Sequence, residues 1–223
     1  MENNPNNIKL VEIKQDVFKE NNEMADKVRV IASQNNTHII NLMASPGAGK
    51  TSLLLQTIKR LSNKFRFGVI EGDIDSFVDS QKIDSVNVPV VQIKTGGACH
   101  LDAPMIMPAL ESIEKDNDID ILFVENIGNL VCPAEFDIGA DKRVMILSVP
   151  EGDDKVLKYP LMFTVTDVCI INKIDVKDYF DFDFEKFKER ILRINPDVKI
   201  IEISCKTGEG LDEWTNWIEK SLF

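Results

Sequence analysis

From His38 onward, short runs of strand-forming residues recur along the chain: HIINLMAS (38–45), FRFGVIEG (65–72), VPVVQIK (88–94), IDILFVEN (119–126), RVMILSVP (143–150), DVCIINK (167–173) and VKIIEIS (198–204). Several are apolar at consecutive positions, as strands covered on both faces should be. Between most of them the apolar spacing lengthens to three and four residues, which predicts helices at about 50–63, 77–86, 101–115, 184–194 and 210–222. Ahead of the first strand, Leu10, Val11, Ile13, Val17, Phe18, Met24, Val28 and Ile31 keep a helical spacing interrupted by polar residues. That segment, from about Ile8 to Ala32, is expected to be an amphipathic helix outside the sheet. Alternating strand and helix of this kind implies an α/β fold, a mostly parallel central sheet with helices on both faces. Its ligands are expected beyond the carboxyl ends of the strands.

Composition narrows the partners. At 223 residues and 43% hydrophobic, the chain has the size of one large α/β domain. A formal charge of -11 repels a nucleic-acid backbone and an anionic membrane surface, so neither is expected as a general partner. No apolar run reaches the length of a membrane span. Four cysteines without a signal-peptide core point to a reducing cytoplasm, where thiols serve as core residues, ligands or nucleophiles. The Asn-rich start, ENNPNN, is expected to be a frayed tail, so residues 1–34 read as tail and helix and residues 35–223 as the domain proper.

The strand HIINLM runs directly into ASPGAGKTSLLLQTIKRL, a turn opening a helix, which is the setting of a P-loop. Here Gly47, Ala48 and Gly49 turn backbone N–H groups toward phosphate oxygens, Lys50 reaches the β- and γ-phosphates, and Thr51, followed by Ser52, offers a hydroxyl to Mg²⁺. The usual first glycine is replaced by Ala44, so Pro46 and Gly47 are expected to make the turn. The three-layer P-loop fold and nucleoside triphosphate binding follow. Asn172-Lys173-Ile174-Asp175 closes a later strand, where Asp175 can accept both N–H groups on the Watson–Crick edge of guanine while the Lys173 stem covers its face. Ser204, Cys205 and Lys206, with Thr207, are expected as a second wall for the base. GTP or GDP is therefore preferred to an adenine nucleotide.

Two further strand ends carry acids, Asp73 after Glu71-Gly72 and Glu125 before Asn126-Ile127-Gly128. Mg²⁺ takes one or two carboxylates together with phosphate oxygens, so both are assigned to its neighbourhood, with Asp73 a candidate for orienting the attacking water. Gly128 would let its backbone approach the γ-phosphate, which makes residues 126–132 a candidate switch. That segment ends at Cys132, and four extended residues reach at most about 14 Å, so movement at Gly128 must be felt at the thiol. Cys99 and His100 stand side by side in TGGACHLDAP, in a chain with only two histidines. They read either as packing or, with Cys132, as soft ligands of one metal ion, Zn²⁺ or Ni²⁺. Cys169 falls in an apolar strand and Cys205 in the base-side loop. Glu151-Gly152-Asp153-Asp154-Lys155 reads either as an acidic helix start or as a partner contact.

Taken together, ASPGAGKTS, IEGDI, TGGACHLDA, ENIGNLVCPAEFDIG, SVPEGDDKVLKYP and NKID resemble the hydrogenase nickel-incorporation GTPase family, HypB, over essentially residues 8–222. The related urease accessory GTPases lack the CH and ENIGNLVCP motifs in this form. The resemblance implies slow intrinsic GTP hydrolysis, a nucleotide-dependent homodimer with a metal site at its interface, and nickel delivery to the large subunit of a nickel-iron hydrogenase alongside the zinc-containing partner HypA. It places Cys99, His100 and Cys132 in the metal site and gives Lys50, Thr51, Asp73, Glu125, Asn172 and Asp175 to nucleotide and Mg²⁺. Some family members carry an N-terminal Cys-x-x-Cys-Gly-Cys motif or a His-rich stretch. In this chain the first cysteine is Cys99 and the other histidine is His38, so neither a high-affinity N-terminal site nor nickel storage is expected. Two other readings stay open: a metal-binding scaffold in which hydrolysis is incidental, and a signalling or translocation GTPase in which the three soft residues are structural.

Overall fold

The computed structural model describes residues 13–73, 83 and 86–223. Seven parallel strands form one sheet: β1 (His38–Ala44), β2 (Phe67–Asp73), β3 (Val90–Lys94), β4 (Ile121–Glu125), β5 (Lys142–Ser148), β6 (Val168–Asn172) and β7 (Lys199–Glu202). Their order is β3-β2-β4-β1-β5-β6-β7. All seven predicted strands are present with their ends shifted by at most two residues; β2 runs on to Asp73, β5 begins at Lys142, and β4 ends at Glu125. Because β1 lies between β4 and β5, the chain changes direction across the sheet at β1, and a crevice opens beyond its carboxyl end.

Alternation along β1 divides the core. Ile40, Leu42 and Ala44 face α2 (Lys50–Leu61) and the C-terminal helix, packing with Leu53, Leu54, Ile58, Trp214 and Ile218. Ile39 faces the other way, toward Val28 of α1 (Ile13–Asn35) and Ile106 and Leu110 of α3 (Ala103–Glu114). Met43 joins a third cluster with Phe163, Phe187 and Ile191. Two short helices, α4 (Cys132–Glu135) and α5 (Lys155–Lys158), precede α6 (Pro160–Thr164), α7 (Phe184–Ile194) and α8 (Leu211–Leu222). Periodicity predicts none of the three short helices, since a single turn leaves no periodic signal; only the start of α5 is marked, by the acidic run 151–154 ahead of Lys155. The helix expected at 77–86 falls on residues outside the described ones apart from Ile83, helical and buried, and Val86. Residues 8–12 of the first predicted helix also lie outside them.

The helix α1 is fastened to the domain by a buried amide. Asn21 accepts a hydrogen bond from the Ala103 N–H at the start of α3 (2.9 Å) and donates to the Asp137 carbonyl just past α4 (2.8 Å). Arg29, lower on the same helix, pairs with Asp137. Replacing Asn21 with Ala strands a buried donor and a half-buried acceptor, and an unsatisfied buried group costs about 1–3 kcal/mol. We expect Asn21→Ala to lower the urea midpoint by an amount equivalent to about 2–4 kcal/mol, and a change below about 0.5 kcal/mol would show that α1 does not depend on this link.

Candidate functional site

Every predicted site residue lies at the carboxyl edge of the sheet, in the loops leaving it or, for Lys50, Thr51 and Ser52, in the first turn of α2. After Ala44 the chain turns through Ser45–Ala48, closed by Ala48 N–H donating to the Ser45 carbonyl (3.4 Å), with Gly47 at φ 77° and Gly49 at φ 111°. Both glycines occupy the left-handed region that L side chains avoid, and a Cβ on Gly49 would stand 2.3 Å from Asn172 Nδ2. The turn is thus made by Pro46 and Gly47, as the missing first glycine requires.

Asn172 and Lys173 hold this loop from the far side. The Asn172 amide donates to the Ala48 carbonyl (2.9 Å) and accepts from the N–H groups of Lys173 (2.8 Å) and Cys205 (3.2 Å). Lys173 adopts φ 64° and donates from Nζ to the Gly47 carbonyl (2.7 Å). A cleft of about 990 Å³ runs beside them, lined among others by Gly47, Gly49, Ser52, Asn172, Lys173, Asp175, Cys205 and Lys206. The P-loop and the NKID motif therefore share one cavity. Ser204 does not line it, contrary to its expected place in the base wall. It is fully buried and its hydroxyl donates to Asp175 Oδ1 (2.6 Å), which fixes the carboxylate from behind. Burial pushes the Cys205 thiol up to about 11, so it stays a neutral thiol in the cleft wall.

A second depression of about 300 Å³ adjoins the first, with Gly47 lining both. Around it stand Lys50, Asp73, Glu125 and Gly128, which brings the predicted phosphate and Mg²⁺ residues together. Thr51 donates its hydroxyl to Glu125 Oε1 (2.7 Å), a hard-oxygen pair suited to Mg²⁺ and its waters. Glu71, which nothing in the sequence sets apart from Asp73, also lines this depression, buried and directly opposite Glu125 in the β2–β4 register. At Gly128 a Cβ would lie 2.9 Å from Pro46 N, so the candidate switch backbone is pressed against the phosphate loop. Glu151 is settled by its contacts. It accepts from the Ser148 N–H (2.8 Å) and hydroxyl (2.7 Å) and from the Ser45 hydroxyl, a capping box that also braces the loop after β1. The Ser-x-x-Glu spacing of 148–151 carries that signal in the sequence.

Cys99, His100 and Cys132 converge. One ligand atom from each lies within 4.8 Å of the others; the two sulfurs are 2.9 Å apart and His100 Nδ1 is 3.7 Å from Cys99 Sγ. The other ring nitrogen, Nε2, is buried without a hydrogen-bond partner. His100 stacks on Phe136 at 3.9 Å between ring centroids, and Phe136 in turn meets Phe18 of α1 at 5.2 Å. Neither phenylalanine was singled out from the sequence, because an aromatic ring in an apolar stripe looks like core. Burial holds His100 below its ordinary range against the opposing pull of Asp102 and Glu135, so the ring stays neutral and available as a ligand. Cys132 is raised above the usual thiol range, chiefly by its hydrogen bond with Cys99 and then by burial. Two sulfurs and one neutral imidazole form a donor set that fits a borderline-soft ion such as Zn²⁺ or Ni²⁺. Cys169, buried within β6, stands apart, its thiol pushed up by burial alone.

The model of the CobW/HypB/UreG nucleotide-binding domain matches residues 38–202. The chain is 44% identical over 211 residues to the hydrogenase maturation factor HypB of Escherichia coli strain K12, covering 95% of this chain and 72% of that protein. The crystal structure of hydrogenase maturation factor HypB from Archaeoglobus fulgidus matches with a TM-score of 0.86 at 40% identity, over 92% of this chain and 100% of that one. HypB from Helicobacter pylori, in complex with nickel, gives 0.87 at 36% identity, over 91% and 95%. Among the described residues no helix is long and apolar enough to cross a membrane.

The sulfur pair makes a direct prediction. Removing Cys99 deletes the largest cause of the upward shift at Cys132. In metal-free Cys99→Ala protein we expect Cys132 to react severalfold faster with an aromatic disulfide at neutral pH, read by mass spectrometry of the adduct. An unchanged rate would mean that the sulfurs do not meet in solution.

Proposed function

Because the chain belongs to the HypB family of hydrogenase maturation factors, we propose that it hydrolyses GTP in a two-state cycle that governs when a nickel or zinc ion is held by Cys99, His100 and Cys132. The observation that carries this reading is the meeting of three soft ligand atoms within 4.8 Å, contributed by two segments of which one is the loop pressed against Pro46 of the phosphate loop. A γ-phosphate that displaces Gly128 displaces, four residues on, the backbone that carries Cys132. The nickel complex of the Helicobacter pylori relative favours nickel as the cargo.

In the nucleotide cleft, Gly47 and Gly49 turn N–H groups toward the phosphates and Lys50 neutralises charge that develops on the transferred group. Thr51 and Glu125 would hold Mg²⁺ with Asp73 in its neighbourhood; that ion, when bound, supplies positive charge to the phosphate oxygens. Asp175, steadied by Ser204, accepts from guanine, while Lys173 flanks it and Lys206 closes the far side. Replacing Asp175 with Asn exchanges a charge-assisted acceptor for an amide that can donate to a carbonyl. We expect Asp175→Asn to lose about tenfold to a hundredfold in GTP affinity and to gain xanthosine triphosphate binding in a competition assay. Unchanged guanine preference would make the base assignment wrong.

The chain supplies three soft ligands, one fewer than a closed tetrahedral site requires. A twofold homodimer repeats each ligand across its axis and can complete the set. The cargo would be exchanged with a HypA-like nickel chaperone and the hydrogenase large subunit. We expect nickel to bind more tightly with a non-hydrolysable GTP analogue than with GDP, and nickel to strengthen the dimer by the same factor by which the dimer strengthens nickel binding. Affinity falls with pH, since both thiols must lose protons. Sedimentation with nickel titration checks this. Cys99→Ala, Cys132→Ala or His100→Ala should each cost about tenfold or more. Equal affinity in both nucleotide states, untouched by these substitutions, would remove the metal-switch reading.

A further inference from the structure

Asn126 is buried at the end of β4, between the phosphate loop and the soft-ligand cluster, and neither reading above gives its side chain a task. Its backbone N–H still belongs to the sheet, donating to the Leu42 carbonyl of β1 (3.0 Å). The side chain joins three segments. Oδ1 accepts from the Leu101 N–H (3.0 Å) and from the Ile127 N–H (2.9 Å), and Nδ2 donates to Asn41 Oδ1 of β1 (3.3 Å). The Leu101 N–H belongs to the peptide that follows His100, and the Ile127 N–H to the peptide that leaves Asn126 itself, one residue before Gly128. One carboxamide oxygen thus holds the segment carrying Cys99 and His100 and the segment leading to Cys132, while the other end of the same group is tied to the strand that feeds the phosphate loop.

We propose that Asn126 is the positioning residue through which nucleotide state reaches the soft-ligand cluster. This rests on the metal-switch reading and names the part that transmits it. A backbone shift at Gly128 pulls first on the Ile127 N–H. Since Oδ1 is shared, it cannot follow Ile127 without changing its bond to Leu101, and the His100 ring and Cys99 sulfur move with that peptide. Asn41 prevents the amide from simply rotating away, because Nδ2 is held at a fixed point of the central strand. The rest of the Leu101 residue is confined as well. Its side chain is fully buried against Gly72, where a Cβ would lie 2.7 Å from Leu101 Cδ1. Displacement therefore passes along the backbone toward His100 instead of being absorbed by Leu101.

The test compares nickel affinity, measured with the metal alone, in GDP and in a non-hydrolysable GTP analogue for wild type, Asn126→Ala and Asn126→Asp. Allosteric coupling of this kind spans about five- to 150-fold. We expect the wild-type ratio to lie in that range and Asn126→Ala to bring it to within about twofold of one while nucleotide still binds. Asn126→Asp retains an oxygen for both N–H groups, and a turned Asn41 amide can donate to its second oxygen, so the ratio should be largely restored. A residue that only stabilised the fold would lower the melting temperature in Asn126→Ala and leave the ratio untouched, and that result overturns the proposal. A wild-type ratio of one overturns both this proposal and the metal switch; a high wild-type ratio that survives Asn126→Ala overturns this proposal alone. If Asn126→Ala does not fold, hydrogen exchange on the wild type decides. The Leu101 and Ile127 amides should change protection together between nucleotide states, and independent behaviour refutes the shared hold.

Discussion

The register between β1 and β4 sets the geometry of everything beyond the sheet. Leu42 stands opposite Glu125, so the two strands end within a few residues of each other and release the phosphate loop and the candidate switch side by side. That height is what allows Gly128 to press on Pro46 and Thr51 to reach Glu125 Oε1 at 2.7 Å. A slip of one residue would turn every β4 side chain to the opposite face and place the Glu125 carboxylate in the core. The register is protected by burial, since Ile121 to Glu125 are all buried and their neighbours on β1 alternate between two separate hydrophobic clusters. Asn41 is the buried polar residue of β1, and although Val124 stands opposite it in the ladder, its side-chain oxygen accepts from the amide of Asn126 just past β4, a hydrogen bond that only the native register can satisfy.

The N-terminal helix contributes more to the site than its position outside the sheet implies. Phe18 backs Phe136, which backs the His100 ring, and Asn21 ties the start of α3 to the residue that follows Phe136. His100 is thereby desolvated on one face, and desolvation is what keeps the ring neutral. A histidine left in water beside Asp102 and Glu135 would be drawn toward the charged form and would lose its lone pair to a proton. Packing and ligand chemistry are joined here in a single aromatic stack.

How much of this the sequence discloses depends on the physical range of each signal. The strands were legible because burial on both faces leaves consecutive apolar runs, and the phosphate loop because glycine is needed at Gly47 and Gly49 whatever surrounds them. The cysteine and histidine positions stood out by chemical rarity, though only the fold brings Cys132 across 33 residues to Cys99. Asn126, Asn21 and Phe136 were illegible for the same reason: each acts through partners far away in sequence, and an amide or an aromatic ring alone does not announce them. Ser204 is expected in the base wall but lies behind it, because the inward turn of its hydroxyl toward Asp175 follows from side-chain packing that no spacing encodes. The short helices between β5 and β6 leave no periodic trace, because a turn of four or five residues has no period to detect, and only the acidic run 151–154 marks where the first of them begins.

The sulfur pair bears on whether such a site keeps its ion or lets it go. A lasting structural site is closed by four ligands whose protons are already lost or easily lost. Here Cys99 is exposed, and the neighbouring sulfur at 2.9 Å makes the Cys132 proton harder to remove than that of an ordinary thiol. An arriving ion must displace that proton, so part of its binding free energy is consumed in deprotonation; a departing ion is followed by proton return, which stabilises the empty site. Both effects weaken net ion binding relative to a site of pre-formed thiolates. Among the described residues no second cluster of this kind accompanies it: Cys169 is sealed in β6, Cys205 is held neutral in the cleft wall, and His38 meets Asp141 and Phe223 at the opposite end of β1. On the proposed metal-switch reading, the thiol chemistry of this cluster would favour passing an ion on over keeping it.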